Sequence, residues 1–429
     1  MPRDDRSTNL TPQRAAVVAL AQALIRRPSV TPEDAGAQDL LAARLAERGF
    51  RVERLRFGAP PHGPVDNLVA TIGSGGPHFC FAGHTDVVPP GPRDRWSVNP
   101  FAATVEAGRL IGRGAADMKG AIAAFVIATE QFLGAQDGAS SGTISLLITG
   151  DEEGPAQYGT DPTLAWMEQH GVRPDACLVG EPTSAHHLGD TVKIGRRGSL
   201  NADLVVHGVQ GHVAYPQRAD NPIDRLVRVL TALKERPLDG GSARFDPSNL
   251  EITTIDIANP TENLIPGQAF ARLNIRFNDQ QHSRDLVAWL TEELRRHAPN
   301  HDLAVRVSGE SFITESGDLP GIIAAAIEAH TGLRPELSTS GGTSDARFIR
   351  RMCPVVEFGL PGATMHKADE QVRLDDLDTL VDIYRSVLQR FLPWPKRHDA
   401  VQRLCRPGTR HAGACDVRAH WLPGFQPKS

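Results

Sequence analysis

The sequence predicts an α/β protein, a mostly parallel sheet covered by helices and interrupted by a ferredoxin-like α+β insert. Three observations carry this. Short apolar, often β-branched runs alternate with helically spaced segments over most of the chain. Near Gly198 the order of elements changes to a βαββαβ series that is complete by Ser311. A chain of 429 residues is also too long for one ordinary core.

The runs NLVATI (67–72), HFCFAG (78–83), TISLLIT (143–149), ACLVG (176–180) and CPVVEFG (353–359) are apolar without strict alternation. Strands covered on both faces read this way. Helical spacing occupies 11–26, 37–48, 117–134, 161–171, 319–331 and 375–391. Within the insert, SLNADLVVHG reads as a strand, and the helix after Asn221-Pro222 carries Ile223, Leu226, Leu230 and Leu233 on one face. Strands LEITTIDIA and AFARLNIRFN follow. A second helix then presents Leu286, Val287, Leu290 and Leu294, and LAVRVSG closes the set. The expected division is 1–197 and 312–391 for the larger domain, 198–311 for the insert, and 392–429 for a loose tail. In that tail Cys405, His411, Cys415 and His420 match no standard zinc-knuckle spacing.

With 46 basic against 51 acidic residues, the charge of −5 gives no reason to expect nucleic acid or an anionic membrane as partner. The polar N-terminus lacks an apolar signal region, and no stretch approaches the ~20 apolar residues of a membrane span. A cytoplasmic location is expected. Five cysteines are an odd number, and Cys80, Cys177 and Cys353 sit in apolar runs, so a reducing compartment without a disulfide framework is expected.

The polar residues are placed more pointedly. In parallel α/β sheets the ligand crevice lies beyond the carboxyl ends of the strands. HFCFAG is followed by His84 and Asp86, TISLLIT by Asp151, Glu152 and Glu153, ACLVG by Glu181, and CPVVEFG leads on to His366; Asp117 opens a helix. Gathered carboxylates repel unless a cation neutralises them. Imidazole with carboxylate suits zinc, with cobalt or manganese as substitutes. Two histidines and three carboxylates exceed the need of one ion and suit two, bridged by one carboxylate. Asp86 lies where it can support His84, and of the adjacent Glu152 and Glu153 one can bind metal while the other serves as general base. Spacing alone leaves their order open. HExxH, CxxC, P-loop and GxGxxG motifs are absent, and GASSG precedes its strand, which disfavours a serine hydrolase.

The motifs GHTDVVPPG, GRGAADMKG, DEEG, GEPT, GRRGS, GVQGHVAYP, SGGTSDARF and MHKADE occur in this order over roughly residues 14 to 391. This series resembles the dinuclear zinc aminoacylase and carboxypeptidase metallohydrolases. The resemblance implies two zinc ions per chain, with cobalt able to substitute. His84 and Glu181 would hold one ion, Glu153 and His366 the other, and Asp117 would bridge. It assigns Glu152 as general acid/base, Asp86 as the support of His84, and His212 as a residue sent across a homodimer interface in the insert to polarise the scissile carbonyl. It implies a cis Asp117–Met118 peptide. The implied substrate is a small N-succinyl amino acid, N-succinyl-LL-2,6-diaminopimelate, whose three carboxylates call for guanidinium forks and hydroxyl donors. Arg196, Arg197, Ser199, Tyr215, Asn263, Arg276, Thr343 and Arg347 occupy matching motif positions. An acetylornithine deacetylase or another N-acyl-amino-acid hydrolase is the alternative on the same scaffold.

Overall fold

A computed structural model describes residues 11–135, 142–314 and 317–392. The tail after Leu392, with its Cys and His residues, lies outside them. An eight-stranded sheet forms the centre, in the order Arg51–Phe57, Val65–Gly73, Thr143–Thr149, His78–His84, Ala176–Val179, Val355–Glu357, Thr191–Lys193, Glu336–Ser338. The four middle strands, Thr143–Thr149 to Val355–Glu357, run parallel, whereas Val65–Gly73 is antiparallel to both of its neighbours.

Side chains alternate across this sheet because successive residues of a strand point to opposite faces. Phe79 and Phe81 join a core with Ile144, Leu146, Ile148 and Leu178, while Cys80 and Ala82 join another with Leu147, Cys177 and Val179. Both faces are apolar because both are covered. The first core packs under helices Pro12–Ile25, Ala37–Glu47, Gly120–Gly134, Leu319–Thr331 and Leu374–Phe391; the second lies under Thr160–Gln169 and Ala346–Ile349. Phe81 stacks on Phe125 at 4.2 Å between centroids, and the buried Tyr384 hydroxyl donates to the Phe358 carbonyl. Each such fully buried large side chain contributes roughly 1.5–3 kcal/mol.

The insert has its own sheet, fully antiparallel, in the order Asn249–Asp256, Gln268–Phe277, Gly198–His207, His301–Gly309. Numbered along the chain, that is second, third, first, fourth, the ferredoxin-like order. Helices Pro222–Glu235 and Ser283–His297 cover it with Leu226, Leu230, Leu233, Leu286, Leu290 and Leu294, and these residues form a separate apolar cluster. The Asn221 side chain caps the first helix by accepting from the Ile223 amide, with Pro222 at its first turn.

The sheet is mostly parallel, as expected: besides the middle strands, the edge pair Thr191–Lys193 and Glu336–Ser338 is parallel, and the remaining pairings are antiparallel. Two points of the sequence reading need correction. The strand Arg51–Phe57 was not expected: it is an edge strand rich in charge, and half-exposed residues carry little periodicity. The helix expected from Asp117 begins at Gly120; Ala115–Lys119 winds more widely, and Asp117 and Met118 lie outside helical φ/ψ. There the Gly114, Ala116 and Asp117 amides donate to the Glu370 side chain instead of to a helical turn. The Asp117–Met118 peptide is cis, as expected. Cys80, Cys177 and Cys353 are buried free thiols. Among the described residues no helix is long and apolar enough to cross a membrane.

Candidate metal centre

His84 is the last residue of its strand, Glu152 and Glu153 follow Thr143–Thr149, Glu181 follows Ala176–Val179, and the chain beyond Val355–Glu357 reaches His366. Parallel neighbours deliver all of these to one sheet edge. His366 has φ +62°, the left-handed region that a non-glycine residue adopts only when its surroundings hold it there.

Asp117 lies between the two histidines. One of its oxygens is 3.1 Å from His84 Nε2 and the other 3.2 Å from His366 Nε2. Glu153 Oε1 is 2.9 Å from His366 Nε2, and Glu181 Oε1 is 3.8 Å from His84 Nε2. Two triplets result, His84–Asp117–Glu181 and Asp117–Glu153–His366, each with ligand atoms within 4.8 Å of one another. They share Asp117. A third grouping, His84–Glu152–Glu153, meets the same limit.

These residues fit a pair of divalent ions. Glu181 Oε1 is buried with no hydrogen-bond partner, an expensive state that a cation would relieve. Burial, then repulsion from Asp117, pushes Glu181 up to about 8. Burial and then Glu181 likewise hold Glu152 well above the usual carboxylate range. Hydrogen bonds that its ring donates to the Asp117 and Glu153 carboxylates raise His366 to about 10. For His84 burial opposes the charge, yet the hydrogen bond and charge of Asp117 keep it well above its ordinary value.

A pH dependence follows. Glu181 and His366 bind protons more tightly in the folded chain, so their stabilisation is complete below the ordinary values of 4.5 and 6.5 and is lost as pH rises through about 8 and about 10. Metal-free protein is expected to melt at progressively lower temperature from about pH 5 to 10, while loaded protein changes less because ions replace the protons. Melting curves with and without chelator across this range check it; a flat metal-free profile contradicts it.

Around this centre the support is dense. His84 Nδ1 faces the Asp86 carbonyl at 2.9 Å, with the Asp86 carboxylate farther away at 3.6 Å, so the backbone of Asp86 makes the closer contact. The Asp86 carboxylate instead accepts from the Glu152 and Glu153 amides and from the Thr31 hydroxyl. Glu370, fully buried, pairs with Arg113 at 2.6 Å and accepts the three amides that shape the Asp117 segment. Burial raises Glu370, and the amides and Arg113 oppose the shift.

A cavity of about 350 Å³ opens on the centre, lined by Asp117, Glu152, Glu153, Glu181 and His366 together with Lys193, Arg196 and Thr343. Of the expected substrate residues, Arg196 and Thr343 reach it. The Arg196 guanidinium is held by Glu357, which also accepts from the Ser344 hydroxyl. Arg197 donates to Asn249, and Arg347 lies over the Phe348 ring. Ser199 and Arg276 pair across strands of the insert sheet. His212, Tyr215 and Asn263 are exposed on the insert, outside the cavity lining. Lys193, Glu357 and Glu370 went unassigned from the sequence. The usable signal was Glu357, a carboxylate inside an apolar strand.

A parallel sheet with imidazoles and carboxylates gathered at its carboxyl edge defines a metallohydrolase, and the chain belongs to peptidase family M20/M25/M40, which matches residues 80–390. Among solved structures it is similar to the M20 family metallo-carboxypeptidase Sso-CP2 of Sulfolobus solfataricus, with a TM-score of 0.73 at 16% identity over 87% of this chain and 99% of that one. The Bacillus subtilis dinuclear metal binding peptidase YXEP gives 0.65 at 15% identity, over 89% and 98%. These likenesses concern the fold. In sequence the chain is 54% identical over 384 residues to the succinyl-diaminopimelate desuccinylase of Gluconacetobacter diazotrophicus, covering 89% of this chain and 99% of that one. It is 56% identical over 376 residues to the enzyme of that name from Rhizorhabdus wittichii, covering 88% and 98%.

Proposed function

We propose that the chain is a zinc-dependent amidohydrolase, cleaving N-succinyl-LL-2,6-diaminopimelate to succinate and LL-2,6-diaminopimelate in lysine and diaminopimelate biosynthesis. The observation that carries this is the placement of Asp117 between two histidine-and-carboxylate sets, in a chain whose relatives at 54% and 56% identity bear the desuccinylase name over nearly their full length. His84 and Glu181 would hold one zinc ion, Glu153 and His366 the other, with Asp117 between them. Cobalt can substitute, since the donor set is the same. When bound, two divalent ions supply Lewis acidity for the amide carbonyl and acidify water.

The remaining chemistry belongs to the side chains. Glu152 lines the cavity beside Asp117 and Glu153, and burial holds its carboxyl above the usual carboxylate range, which favours holding a proton and suits a proton carrier. It takes a proton as water adds to the amide carbon and gives it to the nitrogen as the C–N bond breaks, yielding a carboxylate and an amine. Arg196, oriented by Glu357, and Thr343 receive substrate carboxylates, joined by Arg197, Ser199, Tyr215, Asn263, Arg276 and Arg347 as the insert closes. Steady-state rates on succinyl-diaminopimelate and acetylornithine test the reading; faster turnover of acetylornithine would reassign the substrate.

The insert, 198–311, is read as the dimerisation and lid domain. Val209, Val213, Tyr215, Val227 and Ile255 are large apolar residues exposed on it, a density that signals a covered surface. His212 Nδ1 accepts from the Ala214 amide, which leaves Nε2 as the donor. His212 of the partner subunit would then steady the developing oxyanion. V227E with I255E is expected to yield monomers by light scattering and to lower kcat by about 10²-fold or more, the scale of one oxyanion donor. Full activity in a monomer overturns the shared-site reading. Three buried free thiols accord with a cytoplasmic location.

A further inference from the structure

A second cavity, of about 550 Å³, is larger than the one over the metal centre and shares no lining residue with it. Its walls are the outer sides of the two segments whose inner sides present Glu181 and His366. His186 and His187 come from the turn shortly after Glu181, and the bridge between Ser184 and Pro361 ties that turn to the segment leading to His366. Arg109 and Arg373 sit opposite each other in register on the paired strands Arg109–Ile111 and Gln371–Arg373, and His330 comes from helix Leu319–Thr331.

The chemistry of this wall is one-sided. Two arginines and three histidines line it with one carboxylate, Asp376, and Asp375 lies beside Arg373. Two guanidinium groups opposite each other in register, with imidazoles around them, offer a polyanion planar, two-point hydrogen bonds that these carboxylates do not use up. Arg373 has a 3.3 Å contact with Asp375 on an exposed surface, too weak to remove its charge from the cavity. The His186 and His187 amides donate to Asp190, which fixes the turn and leaves both rings clear of that contact. A metal is not the match, because the metal-capable groupings among the described residues all lie at the other centre. The volume falls within the range of small-molecule sites.

We propose that this cavity is a second binding site, for a small polyanion carrying carboxylate or phosphate groups, on the reverse side of the metal centre. The test is calorimetric titration of zinc-loaded protein with tricarballylate and, separately, with inorganic phosphate, at constant ionic strength. Saturable binding of at least one is expected, weakened about tenfold or more in R109Q/R373Q and in H186Q/H187Q, with kcat/KM unchanged in both. Tricarballylate binding alone identifies a polycarboxylate ligand, and phosphate binding alone a phosphorylated one. Should the arginine pair fail to fold, the histidine pair decides the matter. Equal binding in the variants and the parent would place the anion at the zinc ions and overturn the proposal, as would no saturation by either anion below about 10 mM.

Discussion

Replacing Glu152 by glutamine is expected to lower kcat by about 10²–10⁴-fold, the range of a positioned acid/base, with two metal equivalents and the fold retained. Glutamine keeps the size and one acceptor oxygen but cannot carry the proton. Glu153→Gln is expected to behave differently. Glu153 contacts His366 directly, so its loss should remove about one metal equivalent per chain along with activity. The comparison matters because His84, Glu152 and Glu153 also satisfy the distance limit for a metal. Elemental analysis beside steady-state rates separates the two roles. Metal loss in Glu152→Gln with metal retained in Glu153→Gln would exchange the assignments.

The second large effect is expected away from the ions. Glu370→Ala would leave Arg113, itself only 2% exposed, without its counter-charge, and would strip the Gly114, Ala116 and Asp117 amides of their acceptor. Breaking a buried pair in this way costs about 3–5 kcal/mol, because the remaining charge is stranded in a poorly polarisable interior. Urea denaturation of the metal-free protein should show this loss. Zinc affinity should fall as well, since the same amides fix the Asp117 segment. A loss below about 1 kcal/mol would mean that water reaches Arg113 and that Glu370 does little to hold the segment.

The legibility of this protein was uneven for physical reasons. Strands such as TISLLIT were readable because cover on both faces removes polar interruptions, and the insert because its two helices carry leucines at helical spacing over a self-contained sheet. Arg51–Phe57 was not, since one edge position with exposed arginines leaves little pattern. At the centre, residues that end strands announced themselves, because a carboxylate or imidazole directly after an apolar run has few other reasons to be there. Glu370 and Lys193 gave no such sign. Their importance comes from partners distant in sequence, Arg113 for one and the serines at 338 and 340 for the other, and only folding brings those together. Arg196 lines the cavity, and its restraint by Glu357 joins residues distant in sequence, which no local pattern announces.

Asp86 carries a consequence of its own. Its two carboxylate oxygens fasten the backbone of two successive glutamates, Glu152 and Glu153. On the proposed roles of these two glutamates, ligation and proton transfer would hang from a single anchor, and a shift there would displace both in concert. Selection could then not refine one of these functions at position 86 without disturbing the other.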